Sequence, residues 1–304
     1  MRYFLTVCLI CFVFVVSSGN YLDSLCKTLK TNIPDSSKAV NILVIAEEMA
    51  AQNIDTLPLL CKQALKYLKN YGEDKNIRSI KADIYSDLAY YYVFKNLYDS
   101  AVYFYTRSTD LYKSVENLEG VAINYNDLGY IYKTLGDWKT AIRYYEKSIE
   151  FFQKLNSKED LAQTFNNLGA LYNTIGDIEK ASFYYTEALK IYEQTNNLRG
   201  MAVVYNSLGY LNENVGNYSE ALKYYLKSLE YRNKSGDRRG LSITYNNIAY
   251  MYEHQKLHSK ALDYYRKAFE IAREIQDLEG VATAYMNLGY IYNQLGNRQK
   301  AKQY

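Results

Sequence analysis

The sequence is poor in residues that break helices and in residues that carry out catalysis. It has two prolines in 304 residues, Pro34 and Pro58, which argues against long structureless linkers. It has two histidines and lacks a Gly-rich phosphate loop, a nucleophile elbow and a Cys-x-x-Cys motif. Neighbouring acids such as Glu47 and Glu48 fit a solvated helix face. We therefore expect a non-enzymatic chain without a cofactor, and any catalytic output would lie in a missing C-terminal region.

An excess of one charge sign is also absent. Lys and Arg total 36 against 33 Asp and Glu, which gives a formal net charge of +3. Basic and acidic residues alternate on predicted helix faces, as in Lys147, Glu150 and Lys154, so no nucleic-acid partner is expected. Hydrophobic residues at 48% and charged residues at 23% are typical of a globular protein, whereas the 36 tyrosines are unusual.

After the N-terminus, no apolar run is long enough to span a membrane. Arg2 is followed by the apolar segment 4–16 and then by two serines and a glycine. As a helix this segment would span about 20 Å, short of the ~30 Å hydrocarbon core. The layout predicts a signal peptide over residues 1–19, cleaved before Asn20, with an uncleaved anchor as the alternative. We expect an exported protein, periplasmic or otherwise extracytoplasmic.

The main positive feature is a repeat of 40 residues that runs without insertion or deletion. Its six blocks begin at Ile80, Gly120, Asp160, Gly200, Gly240 and Gly280. In the second block one helical stripe contains Tyr125 and Tyr132, and a second, after a break at Gly136-Asp137, contains Ala141 and Tyr145. Each block is therefore predicted to be two antiparallel helices joined by a glycine turn. A period of this size indicates a stacked array.

Small residues at matching positions predict that the two helices of each block approach closely. The expected facing pairs are Gly129 with Ala141, Gly169 with Ala181, Gly209 with Ala221, Ala249 with Ala261, and Gly289 with Ala301. Tyrosines on either side of these pairs are expected to fill the gap to the next block.

The order of aromatic, Leu-Gly, Tyr, Gly, Ala and Tyr residues over 80–304 resembles the tetratricopeptide repeat (TPR). The resemblance implies an all-α fold, a right-handed superhelical solenoid of antiparallel helix pairs with one concave face. The units exceed the usual length of about 34 residues, as in kinesin light chain and the LGN-type spindle scaffold. The chain also resembles exported TPR proteins of the Bacteroidetes type and the sensor portions of TPR-containing signalling proteins.

The ends of the array differ from its middle. Residues 20–79 are predicted to form degenerate helical hairpins that cap the array. Asp35 or Ser36 is expected to cap a helix that runs to about Ala51, and Asp55 to cap a second helix from Thr56 to about Tyr71. The TPR array of six units, 80–304, ends within its last unit, so we expect the sequence to continue.

Two cysteines follow the predicted signal peptide. Cys26 and Cys61 each stand between Leu and Lys. In an oxidising compartment they could form a disulfide between capping helices. The alternative is that both are small buried hydrophobic residues.

The resemblance also implies which residues line the concave groove. In the family, residues at set positions of each first helix line the groove. Three of these positions correspond in this chain to Asn126, Asn166, Asn206 and Asn246; to Tyr90, Tyr130, Tyr210, Tyr250 and Tyr290; and to Lys133, Asn173, Glu213, Glu253 and Asn293. Asparagine can pair with peptide backbone, and tyrosine offers rigid, half-polar contact area. The asparagines have an alternative role, since they could bond the neighbouring repeat and stiffen the stack. The groove lacks the Lys and Arg set of the family's carboxylate clamp.

A metal site is not expected. His254 and His258 stand four residues apart, a spacing that suits a metal ion only when both lie on one helix. The repeat places a turn between them, so we interpret them as solvated turn residues.

These features predict that the protein is a scaffold that binds a protein or peptide partner in its groove. The alternative is the extracytoplasmic sensor portion of a membrane signalling protein, a histidine kinase or helix-turn-helix regulator, anchored through a missing C-terminal segment. An intracellular motor or spindle adaptor is a weaker alternative, because the N-terminus resembles a signal peptide.

Overall fold

The computed structural model describes residues 34–52, 54–69 and 74–304 of the chain. The predicted signal peptide and Cys26 lie outside the described residues. Cys61 is fully buried in the core of the N-terminal helices, and a disulfide to Cys26 stays a prediction. Within the described ranges, no helix combines the length and the apolar character that crossing a membrane requires.

The secondary structure of the described residues is entirely helical. The elements are α1 (Asp35–Gln52), a 3-10 turn (Ile54–Thr56), α2 (Leu57–Leu68), α3 (Lys75–Phe94), α4 (Tyr98–Ser114), α5 (Leu118–Thr134), α6 (Trp138–Lys154), α7 (Lys158–Ile175), α8 (Ile178–Gln194), α9 (Leu198–Asn214), α10 (Tyr218–Ser235), α11 (Arg238–His254), α12 (His258–Glu274), α13 (Leu278–Gln294) and α14 (Arg298–Ala301). The chain divides into two compact units, unit 1 (Met1–Asn156) and unit 2 (Ser157–Tyr304).

Each block of 40 residues forms one helix pair. The pairs are α3 with α4 and α5 with α6 in unit 1, followed by α7 with α8, α9 with α10, α11 with α12 and α13 with α14 in unit 2. Within each unit, the second helix of one pair also contacts the first helix of the next. The predicted all-α solenoid of helix pairs is confirmed.

The N-terminal hairpin agrees with the prediction at three of its four ends. α1 begins at Asp35, so Asp35 and Ser36 lie within the helix and Pro34, whose carbonyl accepts from Lys38 N, stands at the cap position. α1 ends one residue beyond Ala51, and α2 begins one residue after Thr56. α2 ends at Leu68, before the predicted end at Tyr71, and residues 70–73 lie outside the described ranges.

The prediction that Asp55 caps α2 is wrong. A capping carboxylate in this chain accepts a hydrogen bond from the N–H three residues later, and three residues after Asp55 stands Pro58, which has no N–H. The Asp55 carboxylate instead accepts a hydrogen bond from the Tyr91 hydroxyl at 3.3 Å. It also lies 2.7 Å from the Lys95 ammonium. This acid therefore links the hairpin to the first repeat.

A tyrosine ring of the second helix packs onto the small residue of the first. A Cβ atom added to Gly129 would lie 2.7 Å from the ring of Tyr145, and one added to Gly209 would lie 2.6 Å from the ring of Tyr225. Real Cβ atoms do not approach so closely, so only glycine fits without a shift of the ring. The expected closeness to the alanines is also present, since a Cβ atom on Gly169 would lie 3.3 Å from Ala181 O and one on Gly289 would lie 3.6 Å from Ala301 O. The tyrosine ring is a further contact at the same small residue.

The glycine-packed tyrosines are the largest buried side chains of the array. Tyr145, Tyr185 and Tyr225 are at most 1% exposed, and Tyr265, which packs beside Ala249, is 2% exposed. Other aromatic pairs stack beside them at a spacing of 12 residues, with ring centroids 5.3 to 5.6 Å apart. These pairs are Tyr92–Phe104, Tyr132–Tyr144, Tyr172–Tyr184, Tyr252–Tyr264 and Tyr292–Tyr304. The tyrosine-rich composition is therefore explained largely by the core.

Every turn of the array contains one residue with positive φ, and these residues recur every 20 positions. They are Asn96, Glu116, Gly136, Asn156, Gly176, Asn196, Gly216, Gly236, Lys256, Gln276 and Gly296. The turn inside a helix pair and the turn between pairs are thus of the same kind. Gly and Asn favour this conformation, whereas Glu116, Lys256 and Gln276 adopt it at an energetic cost.

The residue after the positive-φ position is the N-cap of the next helix. At seven of these turns its Asn or Asp side chain accepts a hydrogen bond from the backbone N–H three residues later. The capping residues are Asn117, Asp137, Asp177, Asn197, Asp237, Asp277 and Asn297. Such a cap stabilises a helix by about 1 kcal/mol. Helices α4 to α13 are accordingly uniform at 17 or 18 residues.

Replacing Lys256 by glycine should raise the free energy of unfolding by about 1 kcal/mol, because the left-handed conformation is unfavourable for residues with a Cβ. Its φ is 58°. The matched reverse change, Gly216→Lys at a φ of 78°, should lower the free energy of unfolding by a similar amount. Urea denaturation followed by circular dichroism measures both, and a stabilised Gly216→Lys variant would contradict this account of the turn.

Candidate functional site

The predicted tyrosines of the first helices form an exposed row in each unit. Tyr90 and Tyr130 of unit 1 are 56% and 47% exposed. Tyr210, Tyr250 and Tyr290 of unit 2 are 51%, 39% and 51% exposed. Each follows the small residue that packs on the second helix, and one step along a helix turns the side chain by about 100°. The rings therefore lie beside the packed side of the helix and remain accessible. We call the exposed side of α7, α9, α11 and α13 the first-helix face of unit 2.

The predicted asparagines of unit 2 hydrogen-bond from repeat to repeat. The Oδ1 atom accepts in each pair, and the pairs are Asn166 with Ser207 (3.0 Å), Asn206 with Asn247 (2.9 Å) and Asn246 with Asn287 (3.2 Å). The donor lies 41 residues after the acceptor, one repeat plus one residue. These bonds connect α7, α9, α11 and α13 in series. They show the inter-repeat role, which the sequence left open beside ligand binding.

The asparagine ladder still leaves polar atoms at the surface. Asn166 is 8% exposed, whereas Asn206 and Asn246 are only half-buried. An amide oxygen accepts two hydrogen bonds. A second link of the same kind joins Asn173 to Asn214, whose Nδ2 donates to Asn173 Oδ1 at 3.1 Å. Asn173 is itself 8% exposed, so its amide belongs mainly to the stack.

In unit 1 the predicted groove residues have different surroundings. Nδ2 of Asn126 donates to Oδ1 of the adjacent Asp127 at 3.4 Å. Burial lowers the pKa of the Lys133 ammonium, because desolvation disfavours its charged form. Lys133 is the basic member of the row that holds Glu213 and Glu253 in unit 2. The two units thus present different charges at the same repeat position.

Tyrosines from the core hold two carboxylates at the first-helix face of unit 2. The Tyr225 hydroxyl donates to Glu213 Oε2 at 2.6 Å, and the Tyr265 hydroxyl donates to Glu253 Oε2 at 2.9 Å. Burial raises the pKa of both phenols, and the neighbouring carboxylates raise it further, so both hydroxyls stay protonated donors at neutral pH. These bonds were not predicted from the sequence. Their only signal is the Glu-to-Tyr spacing of 12 residues, which recurs in two successive blocks.

The two histidines lie on different helices, as predicted. α11 ends at His254 and α12 begins at His258. The His254 ring stacks on Tyr218 at 4.4 Å and meets Tyr250 edge-on at 4.5 Å. It therefore belongs to the aromatic surface of the first-helix face. Among the residues that the structure describes, no three His, Cys, Asp or Glu side chains are grouped to hold a metal ion.

A depression on unit 1 lies apart from the predicted residues. It has a volume of about 410 Å³ and is lined by Lys75, Asn76, Ser79, Val115 and Asn117. These residues stand at the start of α3 and in the turn before α5. The depression is shallow and contains none of the groove residues, so the extended face of the repeats remains the candidate site.

Comparison with known families agrees with the repeat architecture. The family model of the tetratricopeptide repeat matches residues 120–194, 200–274 and 241–304, more than half of the chain. The chain therefore belongs to the tetratricopeptide repeat family, whose fold is in general a non-catalytic module for protein interaction. No curated protein matches the chain in sequence.

Solved structures share the fold at low sequence identity. The apo form of RapI is 16% identical, with a TM-score of 0.64 over 84% of this chain and 90% of that chain. BtubC (BKLC) from P. vanneervenii is 18% identical, with a TM-score of 0.55 over 84% and 93%. A signal transduction ATPase with numerous domains (STAND) from Pyrococcus horikoshii, which has a tetratricopeptide repeat sensor, is 19% identical, with a TM-score of 0.68 over 95% and 43%. This chain thus spans less than half of the STAND protein.

The contribution of the asparagine ladder can be measured by a double-mutant cycle. Asn206→Ala and Asn247→Ala should show a coupling energy of about 0.5–1.5 kcal/mol in thermal or urea unfolding, because they share a hydrogen bond. The control cycle combines Asn206→Ala with Asn287→Ala, which hydrogen-bonds Asn246 instead. Its coupling should be close to zero. Equal coupling in both cycles would contradict a pairwise ladder.

Proposed function

We propose that this chain is an exported, non-enzymatic scaffold that binds a peptide or protein segment along the first-helix face of its repeats. Membership of the tetratricopeptide repeat family supports an interaction role in general. The observation that carries the proposal is the row of Tyr210, Tyr250 and Tyr290, each at least 39% exposed at the same position of three successive repeats. Tyrosine is enriched at protein interfaces, because its ring buries apolar area and its hydroxyl forms hydrogen bonds.

Apolar and amide groups accompany the tyrosines in a way that suits an extended segment. Val203 and Ile243 are 36% and 46% exposed and precede Tyr210 and Tyr250 by seven residues, two turns of the helix. Half-buried amides such as Asn206 lie between them along the helix. Amides can pair with peptide backbone, while rings and aliphatic side chains take alternate side chains of the ligand.

The proposed export is supported by the sequence of residues 1–19, with its basic start, apolar segment and small residues before Asn20. A second candidate is the sensor portion of a longer membrane signalling protein. The tetratricopeptide repeat region of the STAND protein is a sensor, and a sensor in this chain would use the same first-helix face. Binding is the local activity in both cases.

Removing the tyrosine row should abolish partner capture. The variant Tyr210→Ser, Tyr250→Ser and Tyr290→Ser should melt close to the wild type, because the exposed rings contribute little to the core. The matched control, Phe183→Ser with Leu226→Ser, removes apolar side chains that are 56% and 39% exposed on the second helices. Proteins that the wild type and the control retain from an envelope extract should be lost by the tyrosine variant. If all three retain the same proteins, the first-helix face is not the binding surface.

Export is tested with the full chain expressed in a bacterial host. The protein should be recovered from the extracytoplasmic fraction with Asn20 as its first residue, as determined by N-terminal sequencing. Replacing residues in the apolar segment 4–16 by charged ones should retain the chain in the cytoplasm. Recovery of the uncut wild-type chain from the cytoplasm alone would overturn the proposed export.

A further inference from the structure

Two carboxylates on the first-helix face of unit 2 have no cationic partner among residues 157–304. Glu213 and Glu253 each accept one hydrogen bond from a tyrosine hydroxyl, and within residues 157–304 neither forms an ion pair. Three acids of the second helices differ, since Glu187, Glu220 and Glu230 each pair with a lysine of the same helix at 2.6 or 2.7 Å. The uncompensated acids of this unit therefore include two at one repeat position of the candidate binding surface.

The tyrosines of unit 2 show the same contrast. Lysines of this chain lie over core-flanking rings, as Lys227 does over Tyr205 at 5.1 Å and Lys267 over Tyr264 at 4.7 Å. No cation of unit 2 lies over the rings of the exposed row, Tyr210, Tyr250 and Tyr290. An aromatic face attracts a cation. Two of these rings, Tyr210 and Tyr250, stand one helical turn before Glu213 and Glu253.

We propose that the first-helix face of unit 2 recognises a basic, extended segment of a partner protein. Lys or Arg side chains of that segment would pair with Glu213 and Glu253, and their aliphatic stems would lie along the exposed tyrosines. The proposal rests on the scaffold function proposed above and specifies the charge of its partner.

The geometry prepares both carboxylates for a cation. In each, Oε2 is fixed by the buried tyrosine, which leaves Oε1 to accept a hydrogen bond from a partner. A carboxylate that is already oriented loses less conformational entropy on binding. Tyr250 stands one helical turn before Glu253 and at the repeat position that follows Tyr210 by 40 residues. Burial raises the pKa of its phenol, and the charges of Glu213 and Glu253 raise it further. The acids and the aromatic row therefore form one continuous surface.

The net charge of the whole chain does not favour a basic partner, so binding of one would have to come from Glu213 and Glu253. The chain has a formal net charge of +3, so a basic peptide gains nothing from the overall charge and must be attracted locally. Binding of such a peptide is therefore expected to depend on the two named acids.

The test uses the full chain and short fluorescein-labelled peptides in which Lys, Gln or Glu alternates with Ala. Fluorescence anisotropy at physiological ionic strength should show binding of the Lys peptide and much weaker binding of the Gln and Glu peptides. Glu213→Gln with Glu253→Gln should weaken binding of the Lys peptide at least about tenfold, because two charged contacts are lost. Glutamine keeps an acceptor for the tyrosine hydroxyls, so helicity and melting should be retained.

The matched control is Glu187→Gln with Glu230→Gln, which removes the same charge from the second helices. Its affinity for the Lys peptide should stay within about twofold of the wild type, because exposed ion pairs contribute little. Equal weakening in both double variants, equal binding of the three peptides, or no binding of the Lys peptide would overturn the proposal. If the tyrosine-row variant still loses its partners in that case, the scaffold function stands. If the tyrosine-row variant retains its partners, the proposed scaffold function is wrong as well.

Discussion

The packing of a tyrosine ring onto a small residue of the neighbouring helix, glycine in most repeats, is the contact on which the rest of the array depends. The ring of Tyr225 lies 2.6 Å from where a Cβ atom on Gly209 would be, so at this position the ring fits as it does because that atom is missing. In the next repeat Tyr265 packs beside Ala249, which is also a small residue. The Tyr225 ring is fully buried, yet its hydroxyl reaches Glu213. One contact therefore joins the two helices of a pair and also orients a carboxylate at the surface. The core and the candidate site therefore share this tyrosine.

The turns supply the second constraint, which is regularity. A left-handed residue recurs every 20 positions and is usually followed by an Asn or Asp that caps the next helix. Because every helix then has nearly the same length, each repeat position has nearly the same surroundings within its unit. Because of that regularity, exposed residues at one repeat position line up in a row along successive helices of the unit. It also accounts for the tolerance of Lys256 at a position that favours glycine, since the fixed helix ends impose the local conformation.

The residues that local patterns could predict were predicted well. Helical stripes and turn residues placed the helix pairs, the buried Tyr145 and the exposed Tyr210, because side-chain direction along a helix follows from its 3.6-residue period. Asp55 was misassigned as a cap, since the acid type fits but the residue that must donate is Pro58. The small residues do lie close to the alanines of the second helix, as expected. The tyrosine ring that packs onto the glycine was not predicted, because a pattern of small residues does not reveal how far a ring from the next turn extends.

Contacts between repeats were beyond such patterns. The hydrogen bond from Asn247 to Asn206 joins residues 41 positions apart. Nothing in the sequence of either helix distinguishes an asparagine that bonds the next repeat from one that faces a ligand. The sequence by itself determined the 40-residue unit, the helix pairs and the class of protein, because these follow from local periodicity and turn chemistry. Only the tertiary structure decided which amides pair across repeats, which tyrosines reach Glu213 and Glu253 and which rings stay uncovered. Those outcomes depend on how far each helix is rotated and displaced against its neighbour, and that is set by the packing of many side chains together.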